Sequence, residues 1–262
     1  MNHEAHIYYE EEEQTFHLQN NFFSYIFKVD FNGKLIQLYY GKKVTHRSSF
    51  NYLLEESSRP MSPVLSEQHP FYSYDNLKQE LPEYGRSDFR KAGIKVLQEN
   101  GSEITDLTYQ SHRIFQGKNL LEGLPASYAE NIDECVSLAI TLKDELLQLE
   151  VILNYTVFAD HSALARSTCI VNHGQKELLL TRLMSLNLDL PDKEYDWMQL
   201  SGAWGRERHL VTKALDYGVV EVSSNRGHSS HNHNPFVTLK RKTTTEFRVK
   251  RLVLCSFTLV IF

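Results

Sequence analysis

The sequence predicts an all-β protein: a large antiparallel β-sandwich with few short helices. Three observations carry that reading. Apolar and polar residues alternate with period two through most of the chain, the pattern of half-buried strands. Aromatic residues make up 11% of the chain, with Tyr 14 and Phe 14, and these side chains suit a pleated surface. Turn signals recur at roughly 8–12-residue spacing, as in sandwiches and barrels.

Taken in order, FFSYIFKVD (Phe22–Asp30) and KLIQLYYGK (Lys34–Lys42) flank Asn32-Gly33. Asn-Gly between two alternating runs predicts a hairpin, because both turn residues take positive φ. Asn100-Gly101 repeats the device between KVLQE and EITDLTY. LLQLEVILNYTVF (Leu146–Phe158) and ALARSTCIVN (Ala163–Asn172) read as long paired strands. His173-Gly174 turns into ELLLTRLMSLNLDL (Glu177–Leu190), and GVVEVSS (Gly218–Ser224) is a further strand candidate. The best helical pattern is YAENIDECVSLAI (Tyr128–Ile140), which reads equally as loop plus strand. Thr45–Arg90, with prolines at 60, 63, 70 and 82, reads as extended loop. Loops of that length are usually functional or disordered.

Composition narrows the function classes. The 262 residues suffice for one large domain or two small ones, and for a core that needs no disulfides or metals. The net charge of −5 argues against nucleic acid, which a basic face would bind. The polar, acidic start MNHEAHIYYEEEE is not a signal peptide. The longest apolar run, Leu252–Phe262, is too short to cross about 30 Å of hydrocarbon as a helix. Cys135, Cys169 and Cys255 form no pattern, which predicts a reducing cytoplasm and no zinc framework. No internal repeat or glycine-rich phosphate loop is present, and neither a cofactor nor a metal is expected.

Three constellations carry polar chemistry. In NRGHSSHNHNPF, His231 and His233 stand at i, i+2, on one face of a strand, with His228 nearby. Metal binding needs further ligands, and no Cys, Asp or Glu lies within the cluster. Donor and acceptor roles toward sugar hydroxyls rank above metal binding, and a polar loop entering a strand at Asn234-Pro235 is the plainer reading. In LSGAWGRERH, Gly202 and Gly205 bracket Ala203-Trp204, ahead of Arg206, Glu207 and Arg208. A projecting Trp204 beside Arg206 and Glu207 suits sugar binding, the ring stacking on a C–H face. By residue type alone, a core tryptophan beside a solvated charge run is the plainer reading. In PEYGRSDFRKAG, an Asp88–Arg90 pair orienting a loop is the plain reading. Glycoside hydrolysis needs two carboxyls across the bond; Asp88 and Glu207 are one such pair, with no spacing to favour them.

These motifs carry a resemblance. YDWMQLSGAWGRERH and SSNRGHSSHNHNPFVTLK, with YGRSDFR, ENGSEITDLTYQSHRIFQGK and GLPASY in order, resemble the bacterial melibiase-type α-galactosidases of glycoside hydrolase family 36. The resemblance covers roughly Ile7 to Lys242. It implies an N-terminal β-supersandwich, galactose-mutarotase-like, that precedes a (β/α)₈ barrel holding both catalytic aspartates. A barrel takes about 250 residues, so the catalytic pair is expected outside this chain. The resemblance also makes Trp204 a tryptophan that approaches the galactose site. It implies tetramers in which an N-domain loop, here Leu53–Pro63, reaches a neighbouring subunit's site. Substrate contacts are thus expected from Trp204, Arg59 and Ser58, and more weakly from Arg206, Glu207, His231 and His233. The family often has aspartate where Ser58 precedes Arg59, which leaves Glu55 and Glu56 open as stand-ins.

The tail departs from the family, which continues with a segment like GEAIGFxxxYSGNFLA. Arg248–Phe262 admits codons that give GEAIGFMLLYSGNF when read from the third base. The Leu-Ala that follows then supplies TAG in the chain's own frame. The expectation is a domain over 1–247 and an out-of-frame tail over 248–262. The implied function is the non-catalytic N-terminal domain of an enzyme hydrolysing terminal α-galactosides of the melibiose and raffinose type. No nucleic-acid or membrane partner is expected. The alternative is a stand-alone sugar-binding or aldose-epimerase domain using His and a carboxylate as acid and base.

Overall fold

A computed structural model describes residues 4–56, 66–70, 72–121, 126–192, 194–226, 232–245, 247 and 251–255. The described residues form strands and two 3₁₀ turns, with no α-helix among them. Contacts divide the chain into two units: Met1–Asn119 with Ser127–Asp189, and Leu120–Ala126 with Leu190–Phe262.

The first unit holds two four-stranded antiparallel meanders. One is β1 (His6–Glu10), β2 (Thr15–Gln19), β3 (Phe23–Val29) and β4 (Leu35–Lys42), in that order. The other is β6 (Thr108–Gln116), β7 (Cys135–Asp144), β8 (Leu149–Phe158) and β9 (Leu164–Asn172). A third ladder pairs β5 (Ile94–Leu97) with β10 (Leu179–Leu183).

Alternation decides which face is inside. On β8, Leu149, Val151, Leu153, Tyr155 and Val157 are buried to 1% exposure or less. Val136, Leu138, Ile140 and Leu142 of β7 join them, and Phe16, Leu18, Phe23, Tyr25, Phe27 and Val29 come from the first sheet. One apolar cluster thus unites the inner faces of both meanders, the sandwich the period-two pattern predicts. Deleting a side chain from it, as in Leu153→Ala, costs about 2–5 kcal/mol.

The first sheet is buried on both faces. Ile26 and Leu38 turn away from the sandwich core and pack with Phe50. Ile36 packs with Tyr72, Tyr74 and Leu77. The region expected to be an extended loop therefore covers the outer face of this sheet. Residues 57–65 and 71 lie outside the described residues.

Buried carboxylates pin the same segment. Glu80 accepts from Tyr25 Oη at 2.5 Å and Tyr155 Oη at 2.7 Å, and Arg166 Nη1 sits 2.5 Å from it. Glu83 takes the Lys34 ammonium, the Thr105 hydroxyl and the Leu107 N–H. Burial raises the Glu83 carboxyl pKa, against the pull of Lys34. Asp30 accepts from Tyr74 Oη at 2.7 Å and from the Lys34 N–H at 2.7 Å.

Several local expectations change. The β3–β4 connection runs from Asp30 to Lys34, and only Gly33 takes positive φ, at 75°. The Asp30 side chain accepts from the Asn32 and Lys34 amides, so a capped five-residue loop replaces the two-residue turn. Gly101 turns the chain at φ 81°, but Glu103–Leu107 forms no strand, and β5 pairs with β10 instead. Of Glu177–Leu190, only Leu179–Leu183 is a strand. The alternating Gly218–Ser224 run finds no partner strand and is irregular. Tyr128–Ile140 resolves as loop, a 3₁₀ turn at Ile132–Glu134 and the start of β7.

The second unit has one four-stranded antiparallel sheet. Its order is β12 (Arg206–Ala214), β11 (Tyr195–Ala203), β13 (His233–Arg241) and β14 (Arg251–Cys255). β14 lies in the expected out-of-frame tail. It forms because a β-prone run meets the open edge of β13.

Candidate functional site

The β11–β12 hairpin brings together most of the described candidates. Its register closes at Ala203 opposite Arg206, leaving Trp204-Gly205 as a two-residue loop. Gly205 supplies the positive φ, 74°, and its N–H donates to Glu207 Oε1 at 2.7 Å. Gly202 is a steric requirement: a Cβ there would lie 2.3 Å from the Arg206 carbonyl oxygen. The register shifts between Ser201 and Ala203, and Arg208 takes left-handed φ, 61°. A bulged, twisted tip results.

That tip presents Trp204 at 86% exposure, so the core reading of this tryptophan does not hold. Arg206 and Glu207 are exposed beside it. The Glu207 carboxylate holds the turn. Asp88 is itself committed. Its Oδ1 accepts from the Arg90 backbone N–H and Nε at 2.9 Å each, and its Oδ2 from Arg90 Nη2 at 2.9 Å and Gln79 Nε2 at 2.8 Å. Arg90 also reaches the Tyr74 and Leu77 carbonyls, so the pair orients its loop.

His233 opens β13 opposite Ser201. A polar ladder that residue types did not single out leads to it along one face of β11. The Trp197 indole N–H donates to Gln199 Oε1 at 2.6 Å. Gln199 Nε2 donates to Ser201 Oγ at 2.8 Å, and Ser201 Oγ meets His233 Nδ1 at 3.1 Å. The indole can only donate, which fixes the orientation of the Gln199 amide. Ser201 Oγ thus accepts from Gln199 and meets the His233 ring at Nδ1. The i, i+2, i+4 spacing of Trp197, Gln199 and Ser201 was the available signal. Nearby, the Gly202 N–H donates to the Asn232 carbonyl at 3.0 Å.

The arrangement combines an exposed aromatic face with a hydrogen-bonded imidazole and charged neighbours on one sheet. Ser58, Arg59, His228 and His231 lie outside the described residues. Of the stand-ins, Glu55 pairs with Lys78 at 2.9 Å. Among the described residues, no three His, Cys, Asp or Glu side chains group to hold a metal ion. No helix among them is long and apolar enough to cross a membrane.

Comparison with known proteins is consistent along the chain. The sequence is similar to α-galactosidase AgaA of Geobacillus stearothermophilus, 40% identical over 238 residues, covering 91% of this chain and 32% of that enzyme. The crystal structure of the α-galactosidase from Lactobacillus brevis superposes with a TM-score of 0.88 at 37% identity, covering 91% of this chain and 32% of that one. An AgaA structure in complex with raffinose matches with a TM-score of 0.83 at 41% identity, covering 88% and 32%. The chain thus spans about a third of the length of the relatives it matches. A sequence model described as the glycosyl hydrolase family 36 N-terminal domain matches residues 33–250. With that match, and with its sheets superposing on solved α-galactosidases, the chain belongs to the glycosyl hydrolase family 36 N-terminal domain family.

Proposed function

We propose that this chain is the non-catalytic N-terminal domain of a cytoplasmic enzyme that hydrolyses terminal α-galactosides of the melibiose and raffinose type. Its part there is to supply carbohydrate contacts and subunit packing in a tetramer. The observation that carries the reading is Trp204, 86% exposed on a turn braced by Glu207. An aromatic ring held in solvent beside polar donors is a stacking surface for a sugar. Arg206 and Glu207 are exposed beside it, and His233, His231, Ser58 and Arg59 are the further proposed contacts.

In this reading residues 1–247 form the domain and residues 248–262 are an out-of-frame tail. The nucleophile and acid/base of the intact enzyme belong to a separate barrel. Purified chain is expected to release no more product from an aryl α-galactoside than a buffer blank. Release above the blank overturns the non-catalytic assignment. Genomic sequence beyond the Phe262 codon is expected to continue, in the shifted frame, into a barrel with two aspartates. A stop or an unrelated frame there overturns the tail assignment.

A further inference from the structure

On the outer face of the first sheet, four side chains form one hydrogen-bonded file. Glu10 Oε1 lies 2.9 Å from His46 Nε2. His46 Nδ1 meets His17 Nδ1 at 3.1 Å, and His17 Nε2 meets Ser24 Oγ at 2.9 Å. Ser24 Oγ also accepts the Val44 N–H at 3.0 Å. The file crosses β1, β2 and β3 and ends on the segment that follows β4. His17 and Ser24 are fully buried, whereas Glu10 and His46 are partly exposed. The Tyr8 ring stacks on His46 at 4.0 Å, and the Phe50 ring stands edge-on to His17 at 5.2 Å. Glu10 is thus the charged group facing the pair from β1, and β3 offers only the neutral Ser24.

A carboxylate only accepts, so the file has one direction when both rings are neutral. His46 carries its proton on Nε2 and accepts at Nδ1. His17 therefore carries its proton on Nδ1 and accepts at Nε2, and Ser24 donates to it. One added proton is accommodated: His46 donates from both nitrogens, His17 accepts at Nδ1, and its Nε2–H turns to Ser24 Oγ. A second proton sets N–H against N–H across 3.1 Å and places two cations in contact.

We propose that Glu10, His46, His17 and Ser24 are a proton-gated latch that holds the Val44–His46 segment on the outer face of the first sheet and releases it on acidification. Burial, with His46 as the second cause, holds His17 down to about 4, which keeps the latch shut near neutral pH.

The test uses the 262-residue chain, ¹⁵N-labelled, titrated by NMR from pH 7.5 to 3.5. At neutral pH, the His46 Nε2–H and His17 Nδ1–H tautomers are expected. As the pH falls toward 4, Val44 amide exchange, corrected for its intrinsic rate, should rise at least about tenfold while Leu138 and Leu153 stay protected. In His46→Gln a side-chain amide faces His17 and accepts from the charged ring, so Val44 should remain protected at the same pH. A His17 Nε2–H tautomer at neutral pH overturns the proposal. So does acid-independent exchange at Val44, equal release in His46→Gln, or release of Val44 only together with Leu138 and Leu153.

Discussion

Glu80 and Arg166 meet at 2.5 Å, Oε2 to Nη1, with side-chain exposures of 0% and 5%. The guanidinium also lies over the Tyr155 ring at 3.8 Å. Glu80 comes from the long irregular segment, while Arg166 and Tyr155 come from the second sheet. Glu80→Ala strands a buried cation and should cost about 3–5 kcal/mol. Tyr155→Phe, which removes one hydroxyl donor, should cost about 1 kcal/mol. Urea denaturation measures both. A cost under about 1 kcal/mol for Glu80→Ala would mean that the segment is held by its apolar contacts alone.

Asp88 has every acceptor direction occupied by Arg90 and Gln79. Asp88→Ala should therefore lower the melting temperature by several degrees, consistent with about 1–3 kcal/mol for leaving the Gln79 and Arg90 donors without their acceptor. In the proposed full-length enzyme, kcat of the folded fraction should stay within about twofold, a barrier change below roughly 0.5 kcal/mol. A large kcat loss at unchanged stability would assign Asp88 to chemistry instead.

Trp204 is too exposed to support the fold. Trp204→Ala should shift stability by less than about 0.5 kcal/mol. In the proposed full-length enzyme it should weaken galactoside affinity, read by calorimetric titration. Unchanged affinity with a large fall in melting temperature would make Trp204 a packing residue.

Gly202 contributes by lacking a side chain. Gly202→Ala forces the Arg206 carbonyl, 2.3 Å from the new atom, to move, at a cost of about 1–3 kcal/mol. Loss of the Ala203–Arg206 pairing in NMR cross-strand contacts is the expected signature. Retention of those contacts at wild-type stability would show that the bulge absorbs a methyl group.

His17 gives stability a pH dependence of known sign. Its folded-state pKa, about 4, lies below the ordinary 6.5. Between those values the unfolded chain binds the proton more tightly. Stability is full above about pH 6.5, falls as the pH drops toward 4, and loses nothing further from this residue below that. The loss amounts to a few kcal/mol, at about 1.4 per pKa unit. Urea midpoints at pH 7 and 4.5 check it: a smaller drop in His17→Gln than in the parent is expected, and equal drops would place the acid sensitivity elsewhere.

The sandwich was legible because β7 and β8 obey a simple rule: every second residue faces one core. Leu149, Val151, Leu153, Tyr155 and Val157 announce it. The cover of the outer face was not legible, since Phe50, Tyr72, Tyr74 and Leu77 follow no period and are placed by single polar anchors such as Asp30 and Glu80. Gly218–Ser224 has the right alternation without a neighbouring strand to satisfy its backbone. At the candidate site, the two glycines marked the bend correctly. The exposure of Trp204 followed only from the closure of the hairpin at Ala203 and Arg206, a register that residue types do not encode.

The strand order also dictates how the first unit assembles. Each meander joins strands that follow one another in the chain, and apart from β6–β7 its pairings close loops of five residues or fewer, which form early. The β5–β10 ladder is different: it ties Ile94–Leu97 to Leu179–Leu183 across the whole second meander. Closing so long a loop costs more entropy and has to wait until the meander between them exists. On a ribosome the first sheet emerges before any of its inner-face partners, with Phe16, Tyr25 and Phe27 uncovered until β7 and β8 arrive. That interval is when this chain is most exposed to self-association, and slowing synthesis between β4 and β7 should lengthen it.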